Sequence, residues 1–376
     1  MRKLLFVLAA FGLYSVNAFA TDYDCGLEPG TVTCSLSADG KSMTVSGNGE
    51  IKGYENNESR PWLKTVESVV IEEGVTAVGQ RAFKGATKLT SVVMPGVTRL
   101  DNSAFNGTKL VNVDMPSVTT IGQSAFENVT TLQSVNIPEV TSIGEKSFYK
   151  ASGLTEIDMP KVESVGTGAF QEATGLVSVD APNLESVGNN AFKKCSSLES
   201  VNMPSLTTIG KEGFADTTSL TEINLENVQY LGQWGFRASG LISVDMPNLQ
   251  EIYGSAFENS PNLAYASFPA DVTIGGGRIF YGTPVGSSLY YIEDGNRVYG
   301  TCSGYIMSGV GCVSSCGEDY RPENGRCVPN PCGENEVLYE DECIEEYPFA
   351  KKHYTPAEAG KWIKGENNKI TITFKK

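Results

Sequence analysis

A phrase of about 22 residues recurs along this chain and restricts its fold more than any other feature of the sequence. The last copy, VTIGGGRIF at residues 272–280, is shortened. A repeat with a fixed period of 20 to 50 residues is typical of a solenoid, in which each copy forms one coil. The copies align on a phenylalanine that returns at steps of 21 or 22 residues: Phe83, Phe105, Phe126, Phe148, Phe170, Phe192, Phe214, Phe236 and Phe257.

Each copy carries the same order of local structure. In EIDMP (156–160), Ile157 and Met159 alternate with two acids, which predicts a short strand with the apolar side chains inward. The proline ends the strand because it has no N–H to donate. In GTGAF (166–170), the first glycine predicts a bend, and a short helical turn is expected to carry Phe170 inward.

One such coil cannot fold alone, because ordering about 22 residues costs more conformational entropy than seven buried side chains return. Stacking the coils supplies the missing burial and pairs each strand with its neighbours. We therefore expect an α/β solenoid, a right-handed stack of nine to ten coils with a parallel sheet and short helical turns.

The repeat resembles the BspA-type leucine-rich repeats of bacterial and some protist surface proteins. The resemblance is carried by SVTTIGQSAFENVTTLQSVNIP (117–138) and its relatives over about residues 66–283. The stretch from Ala38 to Gly74, including Pro61-Trp62, is similar to the amino-terminal cap of that family. The resemblance implies a secreted or surface-exposed adhesin that binds proteins of a host or of neighbouring cells. It supplies no binding residues that could be transferred to this chain.

The amino terminus predicts export. Arg2 and Lys3 precede an apolar run, and Ala18-Phe19-Ala20 fits an A-x-A cleavage site, so we expect a signal peptide cleaved after Ala20 and a secreted or cell-surface protein. The predicted organisation is a signal peptide (1–20), an N-terminal β cap (21–65), the leucine-rich-repeat solenoid (66–283), a cysteine-rich disulfide-stapled segment (284–345) and a C-terminal tail of helix and strand (346–376).

Both ends of a stack need covering. At the start, KSMTVSGNGEIKGY (41–54) predicts a β-hairpin about Gly47-Asn48-Gly49. Trp62 is expected to pack over the first coil. The simplest pairing of the first two cysteines is a bridge from Cys25 to Cys34.

The carboxyl-terminal part is rich in cysteine. Two strands are predicted about Asp294-Gly295, and a capping box at Thr355 predicts a helix of about two turns that ends at Gly365, followed by a strand from Ile370 to Phe374. Six cysteines allow fifteen disulfide connectivities, among which the sequence does not choose. These disulfide candidates are Cys302, Cys312, Cys316, Cys327, Cys332 and Cys343.

Net charge and composition exclude several classes of function. Without Arg2 and Lys3, the chain has 27 basic and 44 acidic residues, a net charge of 27 − 44 = −17. Such a surface repels nucleic acid and anionic lipid. The one histidine, His353, lies in the tail, so the repeats lack the residues for a Ser-His-Asp or Cys-His site. We therefore expect no catalysis, no cofactor, no metal and no membrane insertion.

Outward positions of the strands form two polar columns. Three interpretations stay open: a solvated polar face, a strip that binds a partner, or a calcium site, for which no known calcium motif is present. The candidate partner-binding residues of these columns are Asp114, Asn136, Glu156, Asp158, Asp180, Asn202, Glu222, Asn224 and Asp245.

Four aromatic residues depart from the repeat and form a secondary set of interface candidates, because exposed tyrosine and tryptophan are favoured in interfaces. The alternative is that they pack beneath the cysteine-rich segment. Cys195 lies where other copies have alanine or valine and is expected to be a buried core thiol. The aromatic candidates are Tyr230, Trp234, Tyr253 and Tyr265.

Two classes of function remain after these exclusions. The preferred one is a binding or adhesion protein whose strand face contacts a partner protein, with a surface glycan as the alternative ligand. The other is a structural spacer that presents the cysteine-rich loops.

Overall fold

The chain folds into two compact units, which we call unit 1 (Met1–Leu220) and unit 2 (Thr221–Lys376). The structure is a computed structural model. It describes residues 21–55, 60–269 and 271–285 in full, and outside them only the backbone of the strands listed below. Unit 1 contains seven coils and unit 2 three, which confirms the predicted solenoid of about ten coils.

Unit 1 begins with four cap strands and then alternates between two strand faces. The cap contains β1 (Phe19–Asp24), β2 (Val32–Ser37), β3 (Ser42–Gly47) and β4 (Gly49–Ile51), followed by a short 3-10 helix (Pro61–Lys64). The coils contain β5 (Ser68–Ile71), β6 (Val75–Val78), β7 (Ser91–Val93), β8 (Arg99–Leu100), β9 (Asn112–Asp114), β10 (Thr120–Ile121), β11 (Ser134–Asn136), β12 (Ser142–Ile143), β13 (Glu156–Asp158), β14 (Ser164–Val165), β15 (Ser178–Asp180), β16 (Ser186–Val187), β17 (Ser200–Asn202) and β18 (Thr208–Ile209).

The cap is a β-hairpin, but its turn lies elsewhere than predicted. β2 pairs with β3 antiparallel, and β3 pairs with β5 of the first coil in parallel. The prediction of a hairpin about Gly47-Asn48-Gly49 is wrong, because β3 before that turn and β4 after it belong to different sheets and do not pair. Gly47 and Gly49 both have positive φ, which lets the chain turn the corner there instead of folding back.

Trp62 and a disulfide fix the cap. The Trp62 side chain is buried, and its indole N–H donates to the carbonyl oxygen of Ala82 in the first coil at 3.2 Å. Its ring meets Tyr23 and Tyr54 edge-on, each at 5.8 Å between centroids. Trp62 thus packs over the first coil as expected. Cys25 and Cys34 are joined by a disulfide in the structure, with Cα atoms 5.9 Å apart.

The interior of unit 1 follows the repeat. Seven side chains of the fifth coil, from Leu154 to Phe170, are at most 3 % exposed. The coil phenylalanines from Phe83 to Phe214 stack in one row, with successive ring centroids 5.2 to 5.6 Å apart and planes within 11° of parallel. The predicted shared core is confirmed for this unit.

The segment around each phenylalanine is a pair of turns and not the expected helical turn. Residues two before and two after the phenylalanine have positive φ, as Ser124 and Asn128 do on either side of Phe126. The backbone N–H groups of Ser124, Phe126 and Asn128 each donate to a carbonyl oxygen of the next coil at 2.8 Å. The N–H groups of the two residues between them donate to carbonyl oxygens of their own coil. Alternate bonds to the next coil make this stretch a third hydrogen-bonded side, which we call the turn side.

The glycine before the turn side permits close approach rather than a bend. A Cβ atom on Gly166 would lie 2.7 Å from the backbone nitrogen of Glu145 and 2.8 Å from the carbonyl carbon of Gly144 in the preceding coil. Real Cβ contacts are longer than this, so a side chain there would push two coils apart.

The two strand faces of unit 1 differ in continuity. We call the face of the odd-numbered strands the first face and that of the even-numbered strands the second face. On the second face, β4 to β18 follow one another in parallel order. On the first face, the ladder is interrupted between β11 and β13: one sheet ends at β11, and β13, β15 and β17 form another. Val135 beside this interruption is half-buried, whereas Ile157 is buried.

Unit 2 repeats the coil and ends it with a hairpin. Phe236, Phe257 and Phe280 stack at 5.6 and 5.5 Å. The predicted strands about Asp294-Gly295 are present and pair antiparallel, and the second of them pairs with the first-face strand of the last coil. The second face of unit 2 contains β19 (Tyr230–Leu231), β21 (Glu251–Tyr253) and β23 (Thr273–Gly275). Its first face contains β20 (Ser243–Asp245) and β22 (Tyr265–Pro269), followed in the same sheet by the hairpin strands β25 (Asn296–Gly300) and β24 (Tyr291–Glu293).

The remaining strands are short hairpins described only by their backbone. The prediction of a tail helix that ends at Gly365 is wrong for residues 361–364. These residues form a strand that pairs antiparallel with residues 370–373. Lys-Trp-Ile-Lys and Ile-Thr-Ile-Thr suit such a pair better than a helix, because β-branched and aromatic residues favour strands. These strands are β26 (Ile306–Ser308), β27 (Gly311–Val313), β28 (Tyr320–Glu323), β29 (Arg326–Pro329), β30 (Glu336–Tyr339), β31 (Glu342–Glu345), β32 (Lys361–Lys364) and β33 (Ile370–Thr373).

Several sequence-based predictions fall outside the fully described residues. They concern the signal peptide before Phe19, the capping box at Thr355, and the pairing of the six carboxyl-terminal cysteines. Cys312, Cys327 and Cys343 lie in strands of which the backbone alone is described, and Cys302, Cys316 and Cys332 lie outside the described residues.

Candidate functional site

The first face of unit 1 presents its polar residues to solvent for a simple geometric reason. Each of its three-residue strands points the middle side chain inward, as Ile157 does in β13 and Val179 in β15. The flanking side chains therefore point outward. The column members Asp114, Asn136, Glu156, Asp158, Asp180 and Asn202 are all exposed.

Amide side chains donate hydrogen bonds to two acids of this column. The Asn136 amide nitrogen donates to a carboxylate oxygen of Asp114 at 2.7 Å. Asn202 donates to Asp180 in the same way, also at 2.7 Å. Each bond joins neighbouring coils, so the amides hold the outward acids in fixed positions on the surface.

Asp158 and Glu156 are the acids of this column that no amide covers. Asp158 lies directly in register with Asp180 on the next strand, about 4.8 Å away by the spacing of parallel strands. Among the described residues, neither Asp158 nor Glu156 has a side-chain hydrogen bond or ion pair. We call Glu156, Asp158 and Asp180 the acidic strip.

The structure brings the acidic strip together but separates it from the start of the column. Glu156, Asp158, Asp180 and Asn202 share one three-stranded sheet. Asp114 and Asn136 lie on the other side of the ladder interruption between β11 and β13. The strip is therefore the continuous part of the candidate surface.

The remaining column members belong to unit 2. Glu222 and Asn224 are exposed but lie in a segment without a strand, and the Asn224 side-chain oxygen accepts from the Glu226 backbone N–H at 2.9 Å. Asp245 ends β20 and lies in register with Ser267 of β22. These residues form no set of paired acids like that of unit 1.

The aromatic candidates of unit 2 lie in three environments. Tyr230 and Tyr253 both lie on its second face, with ring centroids 5.3 Å apart. Trp234 is on the turn side, and its indole N–H donates to Glu258 at 3.2 Å. Tyr265 is half-buried in β22, in register with Gly300 of β25. The hairpin of β24 and β25 therefore explains the environment of Tyr265, but not that of Tyr230 and Tyr253.

A shallow polar cleft that the sequence did not predict lies in unit 1, where the chain passes from the first face to the second face. Its volume is about 340 Å³, and it opens between the end of the first-face strands and the start of the second-face strands. The only sign of it in the sequence is a pair of glutamates, Glu163 and Glu185, in a column that is threonine in the other coils of unit 1. The residues that line it are Thr141, Lys161, Glu163, Asn183, Glu185 and Ser205.

Cys195 is part of the interior. Its side chain is fully buried, and its thiol donates to the carbonyl oxygen of Phe170 at 3.2 Å. Burial raises the pKa of the Cys195 thiol well above its ordinary value, so the reactive thiolate does not form there. The prediction of a core thiol is confirmed.

The described residues contain no group of three or more His, Cys, Asp or Glu side chains arranged to hold a metal ion. Within that same part of the chain, no helix is long and apolar enough to cross a membrane.

Comparison with known proteins places the repeats. A family model described as "BspA type Leucine rich repeat region" matches residues 62–177 and 163–285, together more than half of the chain. No curated protein matches the chain.

Three of the solved structures similar to this chain are leucine-rich repeat proteins of low identity. A leucine rich cell surface protein from Faecalibacterium prausnitzii is 21% identical, with 67% of this chain and 89% of that chain covered and a TM-score of 0.34. A leucine-rich repeat protein from Bacteroides ovatus is 18% identical, with 67% and 91% covered and a TM-score of 0.35. A T. pallidum leucine rich repeat protein is 22% identical, with 54% and 83% covered and a TM-score of 0.35.

Proposed function

Because the chain belongs to the BspA-type leucine-rich repeat family, we propose that it is an exported adhesion protein whose first face in unit 1 binds a partner protein. The observation that carries the proposal is the acidic strip: three exposed carboxylates on one rigid sheet, two of them without a partner among the described residues. The protein does no chemistry on its partner in this proposal.

The rigidity of the strip favours recognition. Strand β15, which carries Asp180, pairs with a neighbour on both sides, and β13, which carries Glu156 and Asp158, pairs with β15. The Asn202 amide also fixes Asp180. A surface that is ordered before binding loses little conformational entropy on association. The repeated fold therefore supplies a preorganised platform.

The charge of the strip defines the partner. Neighbouring carboxylates at strand spacing repel one another in water by about 1 kcal/mol per pair at 4 Å, and more where solvent is excluded. A protein surface rich in lysine or arginine relieves this repulsion, and charge complementarity speeds association and selects the partner. We expect a basic patch on the partner protein.

Two features support an exported location. The A-x-A motif ends at Ala20 after a basic and an apolar segment, and the Cys25–Cys34 disulfide closes the cap. Disulfides persist in oxidising compartments such as the cell exterior.

The test is charge reversal with a matched control. The triple variant Glu156→Lys, Asp158→Lys and Asp180→Lys is compared with a control, Glu145→Lys, Glu163→Lys and Glu185→Lys. The control changes the net charge equally but away from the first face, on the same two coils and the preceding one. The full secreted protein is applied to immobilised extracellular-matrix proteins and to intact cells. We expect the strip variant to lose at least about tenfold in affinity, about 1.4 kcal/mol, and the control to keep it.

Circular dichroism must show equal folding of both variants, because all six side chains lie at the surface. Equal attachment by the strip variant and the wild type contradicts the proposal, as does an equal loss in the control.

A further inference from the structure

Two tyrosines on the second face of unit 2 replace small residues of the repeat. Tyr230 occupies the outward position that is Ser142, Ser164 and Ser186 in unit 1. Tyr253 occupies the position of the repeat glycine, such as Gly166. Neither change is needed for the interior, because Leu231 and Ile252 fill the inward positions beside them. We call Tyr230 and Tyr253 the tyrosine pair.

The tyrosine pair is held in place by its surroundings. The two rings are 5.3 Å apart and inclined by 45°. Gly275 on the neighbouring strand leaves room for the Tyr253 ring, because a Cβ atom at Gly275 would come within 2.9 Å of that ring. The Tyr253 hydroxyl donates to a carboxylate oxygen of Glu251 at 3.3 Å. A tyrosine hydroxyl is protonated at neutral pH, and the negative charge of Glu251, followed by that of Tyr230 once ionised, raises the pKa of Tyr253 further.

Polar groups border the pair on one side. Gln229 and Gln250 precede the two strands, both are exposed, and the Gln250 amide donates to that of Gln229 at 3.4 Å. With Glu251 they offer amide donors, amide acceptors and a carboxylate acceptor beside two aromatic rings. Aromatic rings with a few convergent polar groups are the usual composition of a small-ligand site.

We propose that the tyrosine pair binds a neutral saccharide. The face of an aromatic ring carries partial negative charge and attracts the C–H groups on the apolar face of a sugar ring. The neighbouring amides of Gln229 and Gln250 can donate hydrogen bonds to sugar hydroxyls and accept them, and the carboxylate of Glu251 can accept them. The carboxylate of Glu251 disfavours anionic sugars, because like charges repel.

The size of the pair favours a sugar over a protein. An aromatic side chain buries about 150 to 250 Å², whereas a stable protein interface takes about 800 Å² from each partner. Two rings and three polar side chains match the extent of one or two sugar units. This site is separate from the acidic strip, so either proposal can fail without the other.

The test uses the full secreted chain in native gels that contain a β-1,3-glucan, a galactomannan or starch, with heparin as the anionic comparison. The double variant Tyr230→Ser and Tyr253→Gly gives each position a residue that other coils use there, so the fold should be preserved. Tyr281→Ser is the matched control, because Tyr281 is 52% exposed in the same unit.

We expect at least one neutral polysaccharide to retard the wild type and the control, and the double variant to lose that affinity by at least tenfold, with no retardation by heparin. Failure of all three neutral polysaccharides to retard the wild type overturns the proposal, as does an equal loss in Tyr281→Ser.

Chemical nitration of tyrosines supplies the second readout. Both rings of the pair should react in the free wild type and be protected by the retarding polysaccharide. Protection of both rings in the free protein would mean that another part of this chain covers them, which contradicts the proposal.

Discussion

At the outward position of the second face, three consecutive coils of unit 1 carry Ser142, Ser164 and Ser186, whereas two consecutive coils of unit 2 carry Tyr230 and Glu251. At the adjacent inward position, both units carry branched aliphatic residues that are at most 3 % exposed, except in the last coil, where Ile274 is 38 % exposed. The two units thus solve the same packing problem and present different chemistry to solvent. What the coil buries specifies the fold, and what it exposes is free to specify a ligand.

The largest expected effect tests whether the two interiors are equivalent. Phe148→Ala in unit 1 and Phe257→Ala in unit 2 each remove a fully buried ring from a stacked row. Each should lower the free energy of unfolding by about 3 to 5 kcal/mol, measured by urea denaturation. A loss below about 1 kcal/mol in one unit alone would break the comparison by showing that its core is built differently.

The second prediction concerns the close approach of consecutive coils. Gly166→Ala places a Cβ atom against the backbone of the preceding coil, and overpacking of this kind costs about 1 to 3 kcal/mol. The control is Gly277→Ala in unit 2, where a Cβ atom would meet no atom within 4 Å. Urea denaturation should separate the two variants; similar stabilities would mean that the coils shift apart at little cost.

The third prediction uses the buried thiol of unit 1. Burial raises the pKa of Cys195 in the folded protein, so its contribution to stability is complete below the pKa of the unfolded thiol, about 8.5, and is lost as the pH rises above it. The free energy of unfolding should fall by up to about 1.4 kcal/mol per pH unit from this group. Cys195→Ala should remove that slope between pH 8 and 10. Parallel curves for the two proteins would show that the thiol is accessible in the folded state.

The smallest expected effect tests the turn side. Lys150 has φ of 60° at a position that is glycine in the first two coils. The left-handed conformation costs a side-chain-bearing residue about 1 to 2 kcal/mol, and glycine loses about 0.5 to 1 kcal/mol through its greater freedom when unfolded. Lys150→Gly should therefore stabilise the protein by about 0.5 kcal/mol, as seen in its thermal midpoint. Thr167→Gly, at an exposed position without positive φ, should instead destabilise it.

The inward positions could be predicted because their pattern repeats. Phe148, Ile157 and Met159 each recur at one period, and burial is the only role that every copy shares. The alignment also placed Asp158 beside Asp180, since equal positions of consecutive coils meet in a parallel stack.

Other features depend on interactions between coils that a single copy does not show. The turns around Phe148 and Phe170 use residues such as Lys146 and Glu172 at positive φ, and neither residue type favours that conformation. Bonds to the next coil impose it. The interruption after β11 and the cleft beside Glu163 likewise arise from how coils stack. A single copy shows no sign of the interruption, and two glutamates in a threonine column are the only sign of the cleft.

The central claim is that a partner protein binds the first face of unit 1, and a scan around one coil tests it most directly. A photo-crosslinking amino acid is placed at Ser178 on the first face, Ser186 on the second face, or Lys193 on the turn side, in the secreted protein bound to matrix proteins or cells. We predict crosslinks to the partner from position 178 and none from the other two. Equal crosslinking from position 186 or 193, or crosslinking from either without position 178, would contradict the account.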